Sequence, residues 1–168
     1  PVIEVTPSEL ASTDKIAVYT HGGAYVLNSV KAVIESAMFF AAETGLRVIA
    51  VDYTLAPHSK WQETTDEVIS VFKALAKQGF TAGDIVLYGD SAGGGLAAGV
   101  TLKMRDLGME MPAVLVLWSP WEDISESGDS YVTIRDTEAY YTYEDVLVPS
   151  ALSYADAVDH KNHYFSHV

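Results

Sequence analysis

Short apolar runs alternate with longer segments of helical periodicity along most of the chain. Lys15 to Thr20 reads KIAVYT, β-branched and aromatic, and stops at the turn signal His21-Gly22-Gly23. Apolar residues then recur at Val30, Val33, Ile34, Ala37, Met38 and Ala41. That i, i+3, i+4, i+7 spacing predicts an amphipathic helix over about 30–44, closed by Gly45. Leu46 to Val51 is a strand almost without polar positions, as expected where both faces of a sheet are covered. A second helix is predicted over 62–78, with Val68, Val71, Phe72 and Leu75 as its apolar stripe. Ser59…Gln62 and Thr64…Glu67 are candidate capping boxes at its start. Asp84 to Tyr88 is the next strand, and Gly89-Asp90-Ser91-Ala92-Gly93 the turn after it. A third helix is expected from about Ala92 to Leu107, then the apolar strand Ala113 to Trp118 (AVLVLW). Val2 to Thr6 is a weaker strand candidate. Beyond Ser119 the regularity fades, apart from a helix expected near Glu144 to Tyr154.

Strand–helix–strand repetition implies right-handed crossovers and a mostly parallel, buried sheet. The expected class is α/β, with helices on both faces and residues 1–168 forming a single domain. Strand 113–118 is so apolar that it is expected inside the sheet, with a further strand paired beyond it. No convincing strand follows in the remaining sequence.

Composition narrows the function. The 168 residues carry 10 Lys+Arg against 23 Asp+Glu, a formal charge of −13. That argues against nucleic acid, because phosphate neutralisation needs clustered Lys and Arg, and against docking on an anionic membrane. A hydrophobic fraction of 49% excludes a disordered chain. With Cys at 0 there is no disulfide framework and no thiolate metal site. No apolar run approaches the ~18 residues of a membrane span. Pro1-Val2-Ile3-Glu4-Val5 is not a basic-then-apolar leader, so the cytoplasm is the expected compartment. The missing initiator Met suggests a piece of something longer.

Gly89-Asp90-Ser91-Ala92-Gly93 matches G-x-S-x-G between a strand and a helix. A nucleophile placed there sits on a sharp turn, and glycines two residues either side remove Cβ atoms that would clash with strand and helix. Its hydroxyl projects above the carboxyl edge of the sheet, where open α/β sheets bind ligands. The helix N-terminus faces the same space and favours developing negative charge. The plainer alternative is that Ser91 merely caps the helix. His21-Gly22-Gly23 after the strand 15–20 offers backbone N–H groups for an oxyanion, or else a simple glycine hinge.

Four segments together resemble the hormone-sensitive-lipase-like esterases, a bacterial carboxylesterase family of the α/β-hydrolase fold. His21-Gly22-Gly23-Ala24-Tyr25 is similar to its H-G-G-G-x loop, and Asp52-Tyr53-Thr54-Leu55-Ala56-Pro57 to its D-Y-R-L-A-P segment. Gly89-Asp90-Ser91-Ala92-Gly93-Gly94 matches its G-D-S-A-G-G elbow, and Ser119-Pro120-Trp121-Glu122-Asp123 is similar to its S-P-W-x-D segment. The resemblance implies hydrolysis of small carboxylic esters with no metal and no organic cofactor. It implies Ser91 as nucleophile and the N–H groups of Gly22, Gly23 and Ala92 as oxyanion hole. His21 and Asp90 are then structural supports of the site. Ala24 stands where the family has its third Gly, a position expected not to donate. Thr54 replaces an Arg, and His58 an acid. The family's acid and base lie on later strand-end loops, so the chain reads as an incomplete domain and, alone, a poor catalyst. An exposed sheet edge would then favour self-association. The alternative is a degenerate hydrolase kept for binding, without catalysis.

Other patterns carry less. Gly93-x-Gly95-x-x-Ala98 fits a dinucleotide-binding pattern loosely, but four residues separate it from the strand end and no ribose-binding acid follows the next strand. His160, His163 and His167 have metal-like spacing in a tail that reads as polar and irregular. Their use as the base would require the tail to reach Ser91. Glu122, Asp123, Glu126 and Asp129 read as a solvated acidic loop. Tyr131, Tyr140, Tyr141, Tyr143 and Tyr154 read as lining a pocket, an interface or packing.

Overall fold

Five strands form a sheet in the order β1-β3-β2-β4-β5 in a computed structural model that describes residues 1–137 and 143–166. They are β1 (Val2–Val5), β2 (Ile16–Thr20), β3 (Arg47–Val51), β4 (Ile85–Asp90) and β5 (Val114–Trp118). β2, β3, β4 and β5 pair in parallel, and β1 adds to β3 antiparallel. The expected strands are all present. β2 and β3 are buried along nearly their whole length, which explains their unbroken apolar sequences.

β5 is the edge of the sheet among the described residues, as expected where no further strand follows it in this sequence, and Val114 and Trp118 remain 48% and 37% exposed. Apolar composition signals what covers a strand's faces, and it does not report whether a neighbour pairs with its edge.

Helix α1 (Ile34–Thr44) covers one face, packing Ala37, Phe40 and Ala41 on Ala17, Tyr19, Val48, Ala50 and Tyr88. It starts later than the periodicity suggests, because Val30–Ala32 forms a separate tight turn in which the Ser29 hydroxyl accepts the Ala32 N–H. Gly45 ends it at φ +66. Helices α2 (Trp61–Ala76) and α3 (Ala92–Asp106) cover the other face. α2 uses neither expected capping box. Its first turn closes with Glu63 Oε2 accepting the Lys60 N–H at 3.2 Å. The short helices α4 (Ser130–Thr133) and α5 (Val148–Tyr154) follow β5, and a wide helical turn over 143–147 leads into α5. None of the described helices is long and apolar enough to cross a membrane.

Three stretches of backbone lie directly on α3. A Cβ at Gly93 would collide with the carbonyl of Thr20, one at Gly95 with that of Trp121, and one at Gly99 with that of Tyr164. Only a helix without side chains at those three positions lets three separate segments approach so closely.

Candidate active site

β2 and β4 are parallel neighbours with Tyr19 opposite Tyr88 and Thr20 opposite Gly89. The turns that follow them, from His21 and from Asp90, therefore emerge side by side at the carboxyl edge. Ser91 sits on the second turn at φ +52 and ψ −125, an unusual conformation for a residue with a Cβ. Its N–H donates to the Trp118 carbonyl at 3.0 Å, and its carbonyl accepts from Trp121 and Gly95 at 2.8 and 3.1 Å. These backbone bonds, not the side chain, fix the turn. The hydroxyl does not cap α3, which removes the plainer reading of this serine. Ser91 is exposed, and its hydroxyl has no hydrogen-bond partner among the described residues.

The glycine loop lies against this turn. A Cβ at Gly22 would stand 3.1 Å from the Ser91 Cβ and collide with Asp90 Oδ2. The Gly22 N–H donates to Asp90 Oδ1 at 3.2 Å. That N–H is engaged with the carboxylate, so a donor role for Gly22 towards an oxyanion would require it to leave Asp90. The Gly22 carbonyl accepts from His21 Nδ1 at 2.8 Å and Asn28 Nδ2 at 3.2 Å. In a planar trans peptide, C=O and the next N–H point in opposite directions. Anchoring the Gly22 carbonyl on these two donors thus turns the Gly23 N–H the other way. Gly23, Ala24 and Tyr25 all have positive φ, at +124, +52 and +65. No acceptor for the Gly23, Ala24 or Ala92 N–H is found among the described residues. The Gly23 and Ala24 N–H groups are thus unbonded among the described residues, whereas that of Gly22 is not.

His21 has the geometry of a strut. It is fully buried, and its Nδ1 must carry the proton because a carbonyl only accepts. Burial lowers its pKa, so the ring stays neutral. It stacks on Tyr53 at 4.3 Å, and the Tyr53 hydroxyl donates to the His21 carbonyl at 2.6 Å. Tyr25 closes the loop by stacking on Tyr154 of α5 at 3.7 Å and on Trp121 at 5.7 Å.

The tail does not bring a described histidine to Ser91. His163 Nε2 bonds Asp106 Oδ2 at 3.0 Å, at the far end of α3. Ser91 sits at the other end, and 15 helical residues span about 22 Å. His160 Nε2 bonds the Ala155 carbonyl at 3.2 Å, and His167 lies outside the described residues. No group of residues suited to a metal occurs among the described residues. Of the tyrosines, Tyr154 is core and the Tyr131 hydroxyl donates to the Asp123 carbonyl at 2.5 Å. Tyr140 and Tyr141 lie outside the described residues.

The acidic loop is solvated at Glu126 and Asp129 but not at Asp123. Asp123 is 8% exposed, and its carboxylate accepts the N–H and hydroxyl of Ser125 and of Ser127, the Gly128 N–H and the Ser166 hydroxyl. The signal was present in the sequence. An Asp followed by Ser at +2 and +4 and Gly at +5 is an acceptor with local donors in reach.

A family model for the alpha/beta hydrolase fold matches residues 17–168. Among curated relatives, an esterase of Acinetobacter venetianus is 32% identical over 141 residues, 77% of this chain and 46% of its own length. An acetyl-hydrolase of Streptomyces hygroscopicus is 33% identical over 120 residues, 71% of this chain and 40% of its own. The crystal structure of an esterase from the bacterial hormone-sensitive lipase family superposes with a TM-score of 0.82 at 25% identity, covering 99% of this chain and 59% of that one. An esterase/lipase from an uncultured bacterium gives 0.85 at 27%, with the same coverage of 99% and 59%. The chain thus spans less than two thirds of the length of the proteins it matches.

Proposed function

The chain belongs to the alpha/beta-hydrolase fold family, among the hormone-sensitive-lipase-like esterases, and from this membership we propose that its chemistry is hydrolysis of small carboxylic esters through Ser91. Ser91 Oγ bonds the ester carbonyl carbon, and its proton passes by way of water to the departing alcohol. The carbonyl oxygen becomes an oxyanion facing the N–H groups of Gly23, Ala24 and Ala92. The alcohol leaves with a proton, and water then releases the acid and restores the serine. The helix N-terminus at Ala92 adds its dipole to the same charge.

The observation that carries this reading is the pairing of an unbonded serine hydroxyl at φ +52, ψ −125 with adjacent backbone N–H groups that have no acceptor. An exposed strained serine, unused by its own fold, is what a preformed nucleophile requires. Organophosphonate labelling tests it. Ser91 is expected to be phosphonylated at least about 10³-fold faster in the folded chain than in urea, the scale on which an oxyanion hole and binding act without a base. A label that maps elsewhere by peptide mass, or equal rates in the two states, refutes the assignment.

Gly23→Val tests the donor set. A Cβ there collides with the Leu27 carbonyl at a φ of +124, so a β-branched residue must rebuild the loop. Losing one preorganised donor costs about 10²–10³ in rate. The labelling rate is expected to fall by that factor, and by more than the fall in folded fraction read from circular dichroism. A near-normal rate would remove Gly23 from the oxyanion hole.

A further inference from the structure

We infer that Tyr19 is a positioning residue of this site: its buried phenol holds Asp90, and Asp90 holds the glycine loop beside Ser91. For its effect on Ser91 chemistry the inference rests on the proposed function above. The juxtaposition follows from strand register. Tyr19 and Tyr88 are opposite one another on β2 and β4, and their rings stack at 4.8 Å. Asp90 lies two residues beyond Tyr88 and so on the same face. The Tyr19 hydroxyl reaches along the sheet and donates to Asp90 Oδ1 at 2.5 Å. The same oxygen accepts the Gly22 N–H at 3.2 Å.

This makes the carboxylate a two-sided clamp. Its position is set from below by a phenol anchored in the core, and it sets the loop above. With the Gly22 N–H on Asp90 and the Gly22 carbonyl on His21 and Asn28, both polar groups of residue 22 are held. The direction of the next N–H groups follows. Without the phenol, Asp90 is free to rotate away from the Gly22 N–H, and the loop loses its fixed reference to Ser91. Tyr19 is fully buried, and burial together with Asp90 pushes its pKa well above the ordinary phenol value. The proton therefore remains on Tyr19 to be donated.

The chain supplies its own control. Tyr88 is equally buried, stacks on the same ring, and its hydroxyl has no partner among the described residues. Tyr19→Phe and Tyr88→Phe each remove one oxygen from neighbouring rings, and only the first breaks the clamp. Amide hydrogen exchange by NMR reads the loop directly. In Tyr19→Phe, the Gly22 amide is expected to exchange at least tenfold faster, while Val18 and Leu87 at the sheet centre keep their rates. Phosphonylation of Ser91 is expected to slow about tenfold. Tyr88→Phe should leave both unchanged. A Gly22 rate within twofold of wild type in Tyr19→Phe overturns the inference. So does an equal change in Tyr88→Phe, or a freed Gly22 amide with undiminished labelling. If the wild-type chain does not label at all, the Ser91 reading fails separately, and the exchange rates still decide whether Tyr19 holds the loop.

Discussion

Ser91→Gly is expected to abolish organophosphonate labelling at this position and, in the same protein, to raise the melting temperature by a few degrees. The two effects have one origin. At φ +52 and ψ −125 a serine is held where its Cβ is disfavoured, at a cost of about 1–3 kcal/mol. Glycine adopts that conformation freely, and its greater freedom in the unfolded chain offsets about 0.5–1 kcal/mol of the relief. The hydroxyl makes no hydrogen bond among the described residues, so its removal gives nothing back. A net gain of about 1 kcal/mol corresponds to roughly 2–4 °C in a domain of this size. Thermal unfolding followed by circular dichroism checks one half, and intact mass after labelling the other. A variant that melts lower than wild type would mean that Ser91 is supported by its surroundings and is not strained against them.

Asp123→Ala is expected to destabilise the chain by about 3 kcal/mol, or roughly 6–12 °C. Six donors converge on this one carboxylate, and truncation leaves the N–H groups of Ser125, Ser127 and Gly128 in a part-buried loop without their acceptor, while Ser166 keeps the His160 carbonyl. The pH dependence has a definite sign. Burial by itself would raise the Asp123 pKa, but the bonds from Ser125 and Ser127 outweigh it and hold the carboxyl at about 2. A carboxyl depressed on folding stabilises above its unfolded value of about 3.9, and that contribution is lost as pH falls towards 2. Wild type should therefore lose more melting temperature between pH 4 and pH 2 than Asp123→Ala does. Parallel acid profiles would show that the carboxylate is not the origin of the loop's order.

Why some of this was legible in the sequence is physical. The elbow was legible because its constraint is local: glycines at two residues before and after Ser91, flanked by a strand and a helix. The strands 15–20, 46–51 and 84–88 were legible because burial on both faces demands unbroken apolar runs. The oxyanion donors proposed above differ from the sequence reading by one position. Which glycine N–H stays free depends on where the Asp90 carboxylate lies, and that side chain arrives from another strand. Tyr19 passed as a strand residue, since only the register of β2 against β4 brings it to Asp90. The apolar sequence of β5 marks it as a sheet strand, but composition alone says nothing about which of its edges is paired. Asp123 was read by its charge, while its local serines carried the better information.

The bare stripe of α3 has a consequence for the order in which the molecule assembles. Thr20 and Gly93, joined by a hydrogen bond from the threonine hydroxyl at 2.7 Å, are 73 residues apart in sequence, and Trp121 and Tyr164 dock on the same helix from further along the chain. A helix with so many glycines has little intrinsic propensity, at about 1 kcal/mol lost per glycine relative to alanine. It gains its stability from those late, distant contacts, and contacts of long sequence separation form slowly because large loops must close first. The turn bearing Ser91 is thus completed only with the contacts that close those long loops, as is the pairing of β2 with β4.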